Sequence, residues 1–349
     1  MIKCVVWDLD NTLWDGIISE DLSVQLRHDV LTLLKLINEK GIIQSIASRN
    51  EKTPVMKKME EFNVHQYFLL PQISWDSKAD AIKRIINSFN IKANDILFID
   101  DSQFERDQVK QMYPTIMVDD GRNLGNIVKL ISQNNTYTSE EAKERIQYYK
   151  TEEMRISKME QFPGTEMDFL HSCGIKVEML RANVEDLERI KELIDRTNQM
   201  NATGLRLSKE EIIEMINSPD HEIYISLVND KYGSYGRSGL LIVSKDDVSR
   251  EYEIIQLIVS CRLMGKGIAQ TLLHFAYQKS KENKYNLLSC RFIRNQYNRQ
   301  MILLFASNNL TNAKSNESTA FTKYVLDTTM FNINLPDWIT LIDNTKGVK

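Results

Sequence analysis

Two aspartates, Asp8 and Asp10, flank a leucine in "VVWDLDNTLW", directly after an apolar run. Carboxylates so spaced, with the chain turning between them, can share a hard divalent cation through oxygen ligands while one of them attacks phosphorus. The same pair is also a common turn or helix cap, so the residues downstream decide. Ser48 ends "IIQSIAS", where a hydroxyl suits a phosphate oxygen, and Lys78 opens "KADAIKRI", where an ammonium balances the charge of a phosphate and its nucleophile. Asp100 and Asp101 end "ILFID", where they complete a metal site. Each has a plainer reading: Ser48 a turn former, Lys78 a solvated helix residue, Asp100 and Asp101 a cap for a helix beginning near Phe104. Their shared position at the ends of strands, in this order, favours phosphate chemistry.

The elements that must position these residues alternate short apolar runs with helical stretches, the pattern of a parallel sheet with crossover helices. The strand "KCVVW" precedes the helix "VLTLLKLINEKG", stopped at Gly41. A strand "IIQSIAS" leads to a helix expected to start with Thr53 as N-cap and Pro54 at its first position. "YFLL", "DILFID" and "TIMV" are the remaining expected strands, separated by helical "KADAIKRIINSFN" and "FERDQVKQMY". The charged stretch from about 137 to 165 reads as a connecting helix. From about 176 the rhythm changes to a mixed α/β pattern of longer strands and amphipathic helices. The expected division is therefore 1–136, a doubly wound (Rossmann-like) α/β domain; 137–175, a helical linker; and 176–349, a mixed α/β domain.

A second constellation follows a strand in that last domain. In "SCRLMGKGIAQTLL", Gly265 and Gly267 would let backbone N–H groups approach a pyrophosphate at a helix N-terminus, with Arg262 and Lys266 adding charge. A plain strand-to-helix turn fits the same residues. Cys261, at the expected end of that strand, is the candidate for any thioester intermediate, against the alternative of a small core residue. In "RTNQMN", Asn198 and Asn201 are candidates for substrate binding, or else cap and turn the chain.

"VVWDLDNTLW", "SIASRN", "SWDSKADAI" and "LFIDDSQFERDQV" together resemble the four motifs of the haloacid dehalogenase (HAD) phosphotransferase superfamily. The resemblance implies an HAD-like N-terminal domain in which Asp8 forms an aspartyl-phosphate and Asp10 acts as general acid and base. It implies Thr12, Ser48, Arg49 and Lys78 on the phosphate side, Arg49 standing where lysine is more usual. It also implies Mg²⁺ held by Asp8, Asp100 and the backbone carbonyl of Asp10, with Asp101 a supporting or alternative ligand. The short spacing between motifs leaves no room for a large inserted cap, so the site is open. The glycine loop resembles that of the GNAT acyltransferase fold, which binds the pyrophosphate of coenzyme A. With "RTNQMNATG" and "YGSYG" added, nearly the whole chain is similar to the FkbH-like proteins. That resemblance implies a bifunctional enzyme that loads the glyceryl group of D-1,3-bisphosphoglycerate onto an acyl carrier protein thiol and removes the phosphate. The setting it implies is polyketide or related biosynthesis. The alternative is a Mg²⁺-dependent phosphatase of another phosphoester or phosphoprotein, with the GNAT-like domain as a cover or carrier-docking module.

Composition sets the outer bounds. The 349 residues exceed the usual size of one domain, and 42% apolar with 26% charged residues is globular. A net charge of −4 with no long Lys/Arg block gives no case for nucleic acid. No apolar stretch approaches a membrane span, and the N-terminus lacks a signal peptide's pattern, so a cytoplasmic protein without membrane partners is expected. Four scattered cysteines and five scattered histidines argue against a zinc site or disulfide framework.

Overall fold

A computed structural model of the chain describes residues 2–345 apart from 22, 90, 134–138 and 314–319. The chain forms two compact units, Met1–Lys150 and Thr151–Lys349. The division falls within a helix of the segment read from sequence as the 137–175 linker.

In the first unit the chain runs through β1 (Cys4–Trp7), a small hairpin of β2 (Trp14–Asp15) and β3 (Gln25–Leu26), α1 (His28–Glu39), β4 (Ile43–Ser48) and α2 (Lys52–Glu61). It continues through β5 (Gln72–Ile73), α3 (Lys78–Phe89), β6 (Ile96–Ile99), α4 (Gln103–Met112), β7 (Met117–Asp119) and α5 (Leu124–Gln133). The five longer-range strands pair in parallel in the order β5-β4-β1-β6-β7. The chain thus winds outward from β1 on one side, then crosses back and winds outward on the other. This is the doubly wound fold expected, and the reversal of direction at β1 opens a crevice at the carboxyl ends of β1, β4 and β6.

Alternation along β1 explains why helices cover both faces. Val5 and Trp7 pack with Leu33, Leu34 and Ile37 of α1 and Ile127 and Ile131 of α5. Cys4 and Val6 face the other way, onto Ile82 and Ile85 of α3 and Val109 of α4. Each such side chain, taken wholly out of water, contributes roughly 1.5–3 kcal/mol. Polar residues buried within β4 are satisfied: Gln44 accepts from the Trp7 indole at 3.2 Å and donates to the Leu34 carbonyl at 2.9 Å, and the Ser45 hydroxyl donates to the Leu70 carbonyl at 3.3 Å.

Two local expectations fail in this unit. Helix α2 starts at Lys52 with Glu51 as its N-cap, so Thr53 lies inside it and Pro54 at its third position; no side chain caps it. "YFLL" is not a strand. Residues His65–Tyr67 form a 3-10 turn, and the edge strand is Gln72–Ile73, because only those two residues reach Ala47 and Ser48 of β4.

After α6 (Glu140–Lys143), α7 (Arg145–Glu160) and α8 (Glu166–Cys173), the chain enters the second unit's sheet with β8 (Ile175–Arg181). There follow α9 (Leu187–Arg196), α10 (Lys209–Asn217), β9 (His221–Asp230), β10 (Gly233–Asp246), β11 (Glu251–Val259) and α11 (Ile268–Glu282). The last elements are β12 (Leu287–Phe292), α12 (Arg299–Ser307), β13 (Thr311–Asn312), β14 (Thr322–Asp327) and β15 (Ile339–Asp343). The mixed sheet runs β13-β14-β12-β11-β10-β9-β8-β15. Helices α11 and α12 cover one face, with Leu257 and Val259 of β11 among the residues packed there. Helices α9 and α10 cover the other, over Ile255 and Ile258.

Strands β11 and β12 pair in parallel only from Glu251–Leu287 to Ile254–Cys290. On the opposite edge of β11, the register with β10 passes over Ile255, an extra residue that bends the strand. Beyond that bulge β11 no longer pairs with β12. The C-terminal half of α7 is part of this unit: the Arg155 guanidinium grips Asp230 at 2.8 and 2.9 Å, donates to the Gly233 carbonyl and lies over the Tyr235 ring.

Candidate active site

Asp8 follows β1, Ser48 ends β4 and Asp100 follows β6, so the three central strands deliver one functional residue each to the crevice. Lys78, the first residue of α3, reaches the same place: its Nζ lies 2.9 Å from Asp8 and 2.6 Å from Asp100. All three side chains are at most 7% exposed. A buried cation in the first turn of a helix opposes the helix dipole, and these two carboxylates offset that cost. Lys78 is therefore no solvated helix residue.

Burial pushes the Asp8 carboxyl up to about 7, against the pull of Lys78 and with the push of Asp100. Burial likewise raises Asp100 despite Lys78. Burial alone would lower Lys78, but the two carboxylates outweigh it and raise the ammonium above its ordinary value. One ammonium thus serves two carboxylates, which leaves negative charge for a further cation.

Asp101 joins them: one carboxylate oxygen each from Asp8, Asp100 and Asp101 lie within 4.8 Å of one another. Three carboxylate oxygens on the rims of adjacent strands are the hard donor set that suits Mg²⁺. The helix-cap alternative for the aspartate pair fails, because Ser102 caps α4 by accepting from the Glu105 N–H. Asp100 accepts instead from the Ser102 N–H at 2.9 Å, which fixes its carboxylate. Thr12, fully buried, accepts from the Asp101 N–H at 3.1 Å and so ties the first motif loop to the fourth. Gly121 keeps that tie close, since a Cβ there would stand 2.9 Å from the Thr12 methyl.

Asp10 stands apart from this cluster. Its Oδ1 accepts from the Trp14 indole at 2.8 Å and the Ile18 N–H at 3.1 Å, and its Oδ2 from the Asn50 amide at 2.9 Å. The same Asn50 nitrogen is 3.2 Å from the Ser48 hydroxyl. Asn50, 3% exposed, is the residue the motif reading missed, although it lies two positions after Ser48 in the quoted "SIASRN". Arg49 points elsewhere: its guanidinium pairs with Glu105 at 3.1 Å. The site therefore has two parts, a carboxylate–ammonium cluster around Asp8 and an oriented carboxylate at Asp10. The first can hold a cation and a phosphoryl group; the second can exchange a proton.

In the second unit β11 ends at Val259, so Cys261 lies in a 3-10 turn rather than at the strand's end. It is partly exposed, whereas Cys4, Cys173 and Cys290 are buried. Gly265 and Gly267 adopt left-handed φ of 79° and 85°, as a loop opening a helix requires. At Gly267 packing adds a second constraint: a Cβ would stand 3.0 to 3.2 Å from Trp338, Ile339 and Pro336. Both cations of the loop are engaged within the unit. Lys266 pairs with Glu152 at 2.8 Å, and Arg262 donates to the Tyr235 carbonyl at 3.3 Å.

Asn201 is not a substrate-facing residue. It is fully buried, and its side chain accepts from the Thr203 and Gly204 N–H groups, the cap-and-turn role. Asn198 is half-buried and accepts from Arg206 at 3.1 Å. The surrounding backbone does something sequence periodicity gave no sign of. The Ala202 N–H donates to the Leu257 carbonyl and the Val259 N–H to the Met200 carbonyl, occupying the edge of β11 where β12 has parted from it. Fully buried Asn298 holds this segment in place by donating to the Asn201, Ala202 and Ile293 carbonyls.

The family of haloacid dehalogenase-like hydrolases matches residues 16–113, a span that includes Ser48, Lys78, Asp100 and Asp101. No curated protein matches the chain. Among solved structures, the N-terminal, phosphatase-containing part of BF1531 from Bacteroides fragilis, complexed with Mg, is 25% identical, with a TM-score of 0.36. That match covers 39% of this chain and 41% of the other, so the chain spans less than half the length of that relative. A domain from Methanocaldococcus jannaschii is 18% identical over 44% of this chain and 99% of its own, with a TM-score of 0.36. The Vibrio cholerae spermidine N-acetyltransferase, in complex with CoA and spermine, is 16% identical over 44% of this chain and 96% of its own, with a TM-score of 0.35. No described helix is long and apolar enough to cross a membrane. Residues 16–113 of this chain are thus the part that is similar to the haloacid dehalogenase-like hydrolases.

Proposed function

We propose that the chain is a bifunctional glyceryltransferase and phosphatase. It loads the glyceryl group of D-1,3-bisphosphoglycerate onto the phosphopantetheine thiol of an acyl carrier protein and removes the remaining phosphate. The observation that carries the phosphatase half is the buried Asp8–Lys78–Asp100 cluster with Asp101 beside it. Mg²⁺ held by Asp8, Asp100 and Asp101 would neutralise charge on the phosphoryl oxygens. Asp8 is the nucleophile: its oxygen bonds phosphorus as the bond from phosphorus to the glyceryl oxygen breaks. Asp10, its carboxylate aimed by Trp14, Ile18 and Asn50, gives its proton to that oxygen and later takes one from the attacking water. Ser48 and Lys78 hold the phosphate, and Thr12 fixes the loop. Arg49, turned to Glu105, serves the phosphate only after leaving that ion pair.

The acyl phosphate needs no further activation. A thiolate attacks the carbonyl carbon, a C–S bond forms, and the C–O bond to phosphate breaks with inorganic phosphate leaving. Cys261, the partly exposed cysteine beside the glycine loop, is the candidate for an enzyme-bound thioester on the way to the carrier. Arg262, Gly265, Lys266 and Gly267 are the proposed contacts of the pantetheine arm.

A second reading is a Mg²⁺-dependent phosphatase of another phosphoester or phosphoprotein, with the second unit as cover or carrier-docking module. Two observations favour it: the β11 edge is filled by Met200–Ala202, and Lys266 is held by Glu152. Incubation with 1,3-bisphosphoglycerate, Mg²⁺ and holo carrier protein, followed by mass spectrometry of the carrier, separates the two. A glyceryl increment on the carrier supports the first reading, and phosphate release without it supports the second.

A further inference from the structure

A surface cleft of about 330 Å³ adjoins Asp10. Two of the groups that orient the Asp10 carboxylate, the Ile18 backbone and the Asn50 side chain, belong to residues that line it. Ile18 and Asn50 thus connect Asp10 to this cleft, which makes it the cavity beside an oxygen that Asp10 would protonate. Ile18, Pro54 and Trp75 form its apolar wall, and Trp75 is 66% exposed, an indole open to an incoming chain or ammonium. Its charges are all of one sign: Glu20, Asp21 and Glu51, with no lysine or arginine among the described residues that line it. Of the cations nearby in sequence, Arg49 pairs with Glu105 and Arg84 with Asp76, while Lys52, next to Glu51, is exposed and is not among the residues that line the cleft.

We infer that this cleft selects the leaving group by charge, accepting neutral or cationic alcohols and rejecting those that carry a second phosphate or a carboxylate. The inference rests on the phosphatase reading of Asp8 and Asp10 given above. An anionic leaving group would have to approach three carboxylates in a concave site, where one sign of charge alters local ligand concentration by roughly tenfold or more. Under the glyceryltransferase reading this orders the two steps. Free 1,3-bisphosphoglycerate would bring its acyl phosphate into the acid-lined cleft, whereas a phosphoglyceryl group already in thioester linkage brings no second anion. The phosphate cut at Asp8 is then removed after the acyl group has reached a thiol.

The test compares kcat/KM for phosphoethanolamine, glycerol 3-phosphate and 3-phosphoglycerate, whose leaving groups are cationic, neutral and anionic. The full-length protein and its Glu20→Gln/Glu51→Gln variant are assayed at low salt and at about 0.5 M salt, where screening is nearly complete at these separations. The expected result is a preference of roughly tenfold for glycerol 3-phosphate over 3-phosphoglycerate, shrinking toward unity in the variant and at high salt. Equal rates on all three esters, with release abolished by Asp8→Asn, would overturn the charge selection and leave the phosphatase reading standing. A preference unmoved by both the variant and salt would also overturn it. No release from any ester would overturn both.

Discussion

Replacing Lys78 by methionine keeps the length of the side chain and deletes the one ammonium shared by Asp8 and Asp100. In the wild type that nitrogen sits 2.9 and 2.6 Å from the two carboxylates, with all three side chains nearly out of water. Its loss leaves two buried carboxylates facing each other with no counter-charge. Breaking a buried ion pair on one side costs roughly 3–5 kcal/mol. For a folding unit of this size that is a fall in Tm of roughly 6–20 °C. The cost depends on ionisation. Burial already holds the Asp8 carboxyl near about 7, so below that pH the Lys78→Met protein can keep Asp8 protonated and lose little. Without the pull of Lys78 that pKa moves up further, so the cost should be larger at pH 8 than at pH 5.5, and added Mg²⁺, replacing the lost cation, should recover part of it. Calorimetric melts of both proteins at pH 5.5 and 8, with and without Mg²⁺, read this directly. A Lys78→Met protein as stable as the wild type at pH 8 without metal would refute the electrostatic account of the cluster.

Other consequences follow from the same physics. The folded Asp8 pKa is raised, so its contribution to stability is fully present below the unfolded value of 3.8 and is lost as pH rises through about 7. Metal binding requires the ionised form, so the Mg²⁺-induced rise in Tm should be larger at pH 8 than at pH 6; equal shifts would count against Asp8 as a ligand. Arg155→Ala should destabilise the second unit by roughly 3–5 kcal/mol, because Asp230 is left buried without its cation, and chemical denaturation would reveal it. Cys261→Ala should block glyceryl transfer to the carrier while phosphate release from a simple ester continues, which mass spectrometry and a phosphate assay follow in parallel; unchanged transfer would reduce Cys261 to a packing residue.

What the sequence made legible was local. Val5 and Trp7 alternate with Cys4 and Val6 across a two-sided sheet, and Asp8, Ser48 and Asp100 follow the apolar runs that form the three central strands. Both the doubly wound fold and the grouping of Asp8, Lys78, Asp100 and Asp101 could therefore be read from strand ends. Contacts set by tertiary pairing were not legible. The strand at Gln72–Ile73 is defined by two residues of β4 rather than by its own apolar neighbours. The insertion of Met200–Ala202 beside β11 follows from the parting of β11 and β12 after Ile254, for which no periodicity in the segment itself gives a sign. For that reason the polarity of Asn201 could not decide between substrate binding and the cap-and-turn role it fills, and nothing local marks the contacts of Asn50 and Asn298. The cations of the glycine loop were read by their charge alone. Their partners, Glu152 and the Tyr235 carbonyl, lie 114 and 27 residues away in the chain.

The central claim is that phosphate passes through a covalent bond to Asp8. It is tested by mixing the protein with Mg²⁺ and a hydrolysable phosphate ester, quenching with borohydride, and mapping the peptides by mass spectrometry. An acyl phosphate is reduced to an alcohol under these conditions, so the account predicts homoserine in place of Asp8 and unmodified aspartate at position 10. Steady phosphate release with Asp8 unaltered, or with the reduced residue found elsewhere, would contradict it.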